Sequence, residues 1–308
     1  MALLEVKDLK VHFPIRGGIF GRTVGYVKAV DGISFSIEAG QTVGLVGESG
    51  SGKSTTGKAI IGLERLTAGT IIFNGENITK YINKNRSSYR QNVQMIFQDA
   101  FSSLNPRKRI LDVIAEPLRN FEKLSKAEER KRVEELLAIV GMPRHALVKY
   151  PFEFSGGQRQ RIGIARAIAL KPKLIIADEP VSALDLSVQA QVLNYLKDIQ
   201  EELKLAYLFI SHDLGVVKHM CEHLAIMHNS RFVEFGTRSD IYNNPTHIYT
   251  QRLIAAIPGN DPDMRDVNAE KRRLISNIYE NEYSAYYGEG GRVYDLKPVS
   301  DTHSVAAP

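Results

Sequence analysis

This chain of 308 residues has no tryptophan and only one cysteine, Cys221. A single thiol excludes an internal disulfide, and it excludes any multi-cysteine metal or iron–sulfur site built from this chain alone. Cys221 is expected to pack as a small apolar residue. Long apolar runs are lacking as well. No stretch approaches the roughly 20 residues that a spanning helix needs, so the chain does not read as membrane-embedded. The start, Met1-Ala2-Leu3-Leu4-Glu5-Val6-Lys7, meets acid and base too early for a secretory signal, and a cytosolic folding compartment is expected.

What is present is an ordinary globular composition. Hydrophobic residues make up 43% and charged residues 24%, which places the chain among folded rather than disordered proteins. Its length allows a full core in one large domain or two small ones. Forty basic against 35 acidic residues leave a net charge of +5, a mild excess that suits nucleic acid or an anionic membrane surface and selects neither. The chief basic cluster, Arg159, Arg161 and Arg166, has no interleaved aromatic side chains for base stacking. It is therefore expected to serve a local phosphate site or a solvated helix face, not a nucleic-acid groove.

Along the chain, residues 4–11 and 27–37 alternate partially around turn residues such as Asp31-Gly32 and read as strands. The glycine-rich stretch 14–25 between them reads as a loop. Residues 42–46 form a short apolar strand that feeds a Gly-rich turn, with a helix expected over 56–63. Residues 70–73 followed by Asn74-Gly75 read as a hairpin, since Asn-Gly accepts the positive φ angles of a tight turn. From about 111 to 151 the pattern becomes helical. Ser125 and Glu128 are spaced as a capping box ahead of Val133, Leu136, Leu137 and Val140, and Gly141 is a natural stop. The chain then alternates: strand at 173–177, helix at 188–203 with apolar Val188, Val192, Leu196, Ile199 and Leu203, and strand at 207–210. Such alternation argues an α/β fold with a mostly parallel sheet, an antiparallel N-terminal part and an inserted helical block. No solenoid-type repeat is present.

Gly47, Glu48, Ser49, Gly50, Ser51, Gly52, Lys53, Ser54 and Thr55 contain Gly-x-x-x-x-Gly-Lys-Ser, the Walker A pattern. Glycines let successive backbone N–H groups converge on phosphate oxygens, and the helix that follows adds its positive N-terminal end. Lys53 can reach the β- and γ-phosphates, and the Ser54 hydroxyl can ligate Mg²⁺. A Gly/Ser-rich surface turn with an accidental lysine is the alternative, and the preceding strand argues against it. Apolar residues 174–177 lead into Asp178 and Glu179 before Pro180 ends the strand. This delivers two carboxylates to a sheet edge, where Asp178 suits magnesium and Glu179 suits a water-orienting or general-base role. A solvated turn is the plainer reading of the same residues. The next strand ends at His212 and Asp213. His212 is placed to contact a γ-phosphate and hold the attacking water with Glu179, although a lone histidine is more often structural.

Together these pieces resemble an ATP-binding cassette ATPase over about residues 3–236. Phe154-Ser155-Gly156-Gly157-Gln158 is similar to the family signature, with Phe154 where Leu is usual. The resemblance implies a P-loop NTPase (RecA-like) core. It makes Gln98 the glutamine of the family's Q-loop, touching both magnesium and the membrane partner, and Ser182-Ala183-Leu184-Asp185 the D-loop. Asp185 or Ser187 could equally start the next helix. His212 becomes the switch histidine. Tyr26 is the candidate for stacking on adenine, with Phe13 and Phe20 as competitors and core burial open for all three. Ser155, Gly156, Gly157 and Gln158 would contact the ATP of a partner's site. ATP and Mg²⁺ are implied, with catalytic Glu179, His212 and Gln98 and metal-binding Ser54, Gln98 and Asp178.

Two further stretches are similar to ATPases of bacterial peptide and nickel importers: residues 98–107, with Ala100 where Pro is usual, and residues 247–258 beyond the core. An ordinary amphipathic helix docked on the cassette is the alternative for the latter. The resemblance implies domains at 1–236, with a helical subdomain at about 99–158, and a C-terminal extension at 237–308. Some ATPases of this group bind an iron–sulfur cluster through C-terminal cysteines; this chain has none there, so no such cluster is expected, and the F-type ATPase of an oligopeptide permease is favoured, closely followed by a dipeptide version. Implied partners are a second ATPase subunit in a heterodimer, two transmembrane permease subunits and an extracytoplasmic peptide-binding protein, with no nucleic acid. The implied location is peripheral, at the cytoplasmic face of the membrane. Rival readings are a nickel importer ATPase, a soluble cassette acting on ribosomes or DNA, and a nucleotide binder without hydrolysis. No role is assigned to residues 286–308.

Overall fold

The computed structural model describes residues 2–17, 21–82, 87–99, 103–257 and 265–308. Its elements in chain order are β1 (Leu4–Gly17), β2 (Arg22–Ile37), β3 (Thr42–Val46), α1 (Lys53–Ile60), β4 (Ala68–Phe73), β5 (Glu76–Asn77), α2 (Ser87–Asn92), β6 (Val93–Ile96), α3 (Ile110–Phe121), α4 (Lys126–Ile139), α5 (Gly156–Ile168) and β7 (Leu174–Asp178). There follow α6 (Leu186–Leu203), β8 (Ala206–Ser211), α7 (Leu214–Met220), β9 (His223–His228), β10 (Arg231–Thr237), α8 (Arg238–Asn243), α9 (Ile248–Ala255), α10 (Arg265–Tyr286), β11 (Leu296–Pro298) and β12 (Ser304–Ala306). Two units divide these elements, one made of residues 37–41 and 80–210, the other of residues 2–36, 42–79 and 211–308. Among the described residues, no helix is long and apolar enough to cross a membrane.

In the unit that holds residues 80–210, β6, β7 and β8 run parallel, with Ile96 opposite Ala177 and Asp178 opposite Ile210. All five residues of β7 and all six of β8 are buried. A strand buried on both faces reads as a continuous apolar run, as these do, and each large side chain removed from water contributes roughly 1.5–3 kcal/mol. Helix α6 begins at Leu186, two residues before its expected start, and buries Val192, Leu196 and Ile199. The helical block forms as expected. Ser125 Oγ accepts from Glu128 N at 3.3 Å while the Glu128 carboxylate accepts from Ser125 N at 2.8 Å, a complete capping box for α4. At the other end Gly141 N donates to Ala138 O and Met142 N to Leu137 O, which satisfies the last carbonyls.

In the other unit, β2-β1-β4-β5 form a sheet in which β1 and β4 are antiparallel. Asn74 and Gly75 take φ of 50° and 78°, the two positive angles that the tight turn between β4 and β5 requires. Most of the described residues in the stretch 14–25, expected as a loop, are strand: β1 continues to Gly17 and β2 starts at Arg22. Gly17 lies beside Val24, where a Cβ would meet the valine methyl at 3.0 Å. Its glycine accommodates a cross-strand neighbour, so composition misled where pairing decided. Strand β3 pairs in parallel with β9, and β10, β12 and β11 follow antiparallel. Residues 296–298 and 304–306, in the stretch left without a role, thus extend the sheet. Cys221 is 1% exposed against β3, where a Cβ on Gly44 would come within 3.0 Å of its sulfur. It packs as the apolar residue it was read to be.

Candidate nucleotide-binding site

Strand β3 ends at Val46, a turn covers residues 47–52, and α1 starts at Lys53, three residues earlier than expected. The lysine, Ser54 and Thr55 are therefore already on the helix. Gly52 sits at the N-cap with φ 109°, no side chain caps the helix and no acidic residue occupies its first turn. The positive end of the helix makes that terminus attractive to an anion. Glycine is required at both ends of the turn: a Cβ on Gly47 would lie 2.1 Å from Met227 O, and one on Gly52 would lie 2.1 Å from Ala29 O. Lys53 is 4% exposed, and its ammonium donates to Gly47 O at 2.7 Å and Glu48 O at 2.8 Å. Glu48, Ser49 and Gly50 are exposed, Ser51 is buried, and Ser54 and Thr55 are half-buried.

Strand β7 carries Asp178 as its last residue, 4% exposed, and Glu179 follows with φ 46°. A side chain other than glycine held in this left-handed conformation costs on the order of 1–3 kcal/mol and persists only where its surroundings fix it. Here Glu179 N donates to Ile210 O at 2.9 Å, and Ser182 N returns to Glu179 O at 3.3 Å. Gln98, just beyond β6, donates its side-chain amide to the Glu179 carboxylate at 2.7 Å. The bond joins two residues 81 apart in sequence. His212 follows β8 and is exposed. Its neighbour Asp213 is an N-cap, accepting from Gly215 N at 2.7 Å and Val216 N at 3.3 Å. Lys53, Ser54 and His212 belong to one unit, and Gln98, Asp178 and Glu179 to the other.

Phe154 is buried beneath the Lys149 ammonium, 5.8 Å from its ring centroid. Ser155 caps α5: its Oγ accepts from Gln158 N at 3.4 Å, and Gln158 Oε1 accepts from Ser155 N at 3.0 Å. The hydroxyl read as an anion ligand is engaged in this cap. Gly156 is exposed and Gly157 buried. Gln98, Gly156, Arg159, Gln160, Ala183 and Leu184 border one cavity of about 300 Å³. The basic cluster corrects its expectation, because each guanidinium is tied to protein groups. Arg159 donates to Pro151 O at 2.9 Å and Phe152 O at 3.3 Å. Arg161 reaches Gln191 at 2.5 Å and lies 4.7 Å over the Tyr195 ring. Arg166 donates to Ser103 O at 2.5 Å, and burial lowers its affinity for a proton. Asp185 is the N-cap of α6 without a side-chain bond.

Tyr26 and Phe13 are 59% and 39% exposed on β2 and β1, which removes core burial as an account of either. Phe20 lies outside the described residues, as do Ala100, Phe101, Ser102 and Pro258. Within the stretch 247–258, Ile248–Ala255 form α9, the helix given as the alternative reading, and it brings a contact that no local pattern announces. The Glu48 N–H donates to the Tyr249 hydroxyl at 3.0 Å, and Arg252 approaches the Glu48 carboxylate at 3.4 Å. Only packing reveals it, since the two residues are 201 apart. For a cation, Ser54, Asp178 and Gln98 offer hydroxyl, carboxylate and amide oxygens. Among the described residues no group of three or more His, Cys, Asp or Glu gathers as a cage. These donor types suit Mg²⁺, with Ser54 in one unit and Asp178 and Gln98 in the other.

Residues 30–182 match the ABC transporter family, and residues 233–282 match the oligopeptide/dipeptide transporter C-terminal region. The chain is 58% identical over 306 residues to the oligopeptide transport ATP-binding protein OppF of Lactococcus lactis subsp. lactis (strain IL1403), covering 99% of this chain and 96% of that one. It is 47% identical over 263 residues to the dipeptide transport ATP-binding protein DppF of Escherichia coli (strain K12), covering 85% and 78%. A solved dimeric ATP-binding cassette in a post-hydrolysis state bound to ADP and phosphate superposes with a TM-score of 0.67 at 25% identity, covering 76% of this chain and 98% of that one. With a shared sequence along nearly its whole length and the cassette fold beneath it, the chain belongs to the oligopeptide and dipeptide branch of the ABC transporter ATP-binding proteins.

Proposed function

We propose that this chain is the ATP-hydrolysing subunit of an importer of oligopeptides, with dipeptides the second substrate class. The observation that carries the catalytic part is the 2.7 Å bond between Gln98 and Glu179, which aims a carboxylate at the end of β7. Residues 47–55 wrap the phosphates with backbone N–H groups, and the Lys53 ammonium turns from peptide oxygens to phosphate oxygens. Ser54, Asp178 and Gln98 would hold Mg²⁺, which would supply positive charge to the bound phosphates. Glu179 orients the attacking water and takes its proton, as a general base does. Gln98 keeps that carboxylate aimed, and His212 holds the water from the γ-phosphate side. Tyr26, exposed on β2, stacks on adenine.

The ATP-binding domain spans residues 1–236, its helical subdomain about 99–158, and the extension 237–308. Ser155, Gly156, Gly157 and Gln158, at the start of α5, complete the site of a second ATPase, so that a heterodimer shares two nucleotides. Two transmembrane permease subunits and an extracytoplasmic peptide-binding protein complete the assembly, and the chain sits peripherally at the cytoplasmic face of the membrane. Purifying the chain from membranes with its neighbours, and measuring uptake of peptides against nickel in that assembly, tests this reading. Co-purification with permease subunits and peptide uptake are expected. Recovery without any membrane protein, or uptake of nickel alone, contradicts it.

A further inference from the structure

We infer that Tyr249 and Arg252 are positioning residues for the turn at 47–52, so that the nucleotide affinity of this ATPase depends on its own C-terminal helix; the inference rests on the nucleotide role proposed above for residues 47–55. The key is a single peptide unit. The carbonyl of Gly47 accepts from the Lys53 ammonium at 2.7 Å, and the N–H of the same unit, on Glu48, donates to the Tyr249 hydroxyl at 3.0 Å. A trans peptide is planar, with its oxygen and its hydrogen on opposite edges, so fixing one direction fixes the other. The tyrosine on one side thereby sets where the lysine finds its acceptor on the other.

Tyr249 is itself held firmly. It is 0% exposed, its ring stands 4.0 Å from that of His228, and its backbone N–H donates to His247 Nδ1 at 3.1 Å. Burial holds its hydroxyl protonated, well above the ordinary tyrosine range. The start of α9 is anchored through Glu234, whose carboxylate accepts from Thr246 N at 2.8 Å and His247 N at 3.1 Å. Arg252, one turn beyond Tyr249, lies 3.4 Å from the Glu48 carboxylate and 4.7 Å over the Tyr279 ring of α10. Met227 O closes off the far side of Gly47, where not even a Cβ fits. The first peptide of the turn is thus fixed from outside by groups that touch no phosphate.

Calorimetric titration of the full-length chain with MgATP, for wild type, Tyr249→Phe and Arg252→Gln, tests this. Tyr249→Phe keeps the ring and deletes only the acceptor, and about fivefold to tenfold weaker binding is expected, the scale of one lost buried hydrogen bond. In the assembled transporter the same variant should raise KM for ATP by a similar factor and leave kcat within about twofold. Arg252→Gln should weaken binding about twofold to threefold at low salt, with the difference shrinking as salt screens the pair. A lower melting temperature for Tyr249→Phe with unchanged Kd and KM would reveal a merely structural tyrosine and overturn the inference. If Tyr249→Phe does not fold, an Arg252→Gln Kd equal to wild type at low salt overturns it. No MgATP binding by wild type would instead overturn the nucleotide reading on which it stands.

Discussion

The side-chain amide of Gln98 and the carboxylate of Glu179 meet at 2.7 Å, joining a residue two beyond the end of β6 to the residue after β7. Glu179 reaches this position through a left-handed backbone, φ 46°, pinned by its own N–H on Ile210 O. A strained residue aimed by a neutral donor is a natural way to place a base without neutralising it. The glutamine supplies direction and the backbone supplies reach.

Removing the glutamine should therefore cost turnover more than binding. Gln98→Ala is expected to lower kcat of the assembled transporter about tenfold, with a smaller change in KM for ATP, as expected when a positioned base loses its aim. Steady-state ATPase assays of the complex check it. An unchanged kcat would detach Gln98 from the reaction.

Glu234 should matter for stability. Its side chain is 0% exposed and accepts from Thr246 N, His247 N and His303 Nε2, the last at 2.7 Å. Glu234→Ala strands three donors, and a loss of about 3 kcal/mol is expected from their desolvation. Glu234→Gln, which keeps one acceptor oxygen, should lose clearly less. Urea unfolding midpoints compare the two. Limited proteolysis should cut the alanine variant first between residues 246 and 308.

Acid should loosen the same region. Burial, with Arg252 adding to it for His228 and His228 for His247, pushes both histidines down to about 4 from 6.5. Both folded values lie below the unfolded value, so between pH 6.5 and 4 the unfolded chain binds more protons. The stability that these neutral rings contribute is fully present above that window and is lost as pH falls through it. Melting temperature should drop from pH 7.5 to pH 5, and the drop should be shallower for His228→Phe, which keeps the ring and cannot ionise. Equal slopes for the two proteins would remove His228 from the effect.

Much of this is legible in the sequence, for reasons that differ residue by residue. Asp178 and Glu179 were expected at the end of a buried strand, and β7 ends there, because four apolar residues followed by acids and Pro180 leave little choice of local structure. Ser125 and Glu128 cap α4 as their spacing required. Other features depend on neighbours distant in sequence. Residues 14–17 and 22–25 are strand because pairing outweighs their glycine content, and β11 and β12 are too short to carry a period of their own. Ser155 and Gln158 fit a capping box by spacing and form one, although the family signature at the same residues points to phosphate. Tyr249 is an ordinary residue of an amphipathic helix until α9 brings it to Glu48.

The most direct test of the central claim, that Glu179 activates water for ATP hydrolysis, is the Glu179→Gln variant in the assembled transporter, measured for MgATP binding and for turnover. A neutral amide of the same shape keeps the backbone and loses the base. Binding within about threefold of wild type and turnover reduced by about 10²–10³-fold are expected. Hydrolysis at the wild-type rate would contradict it.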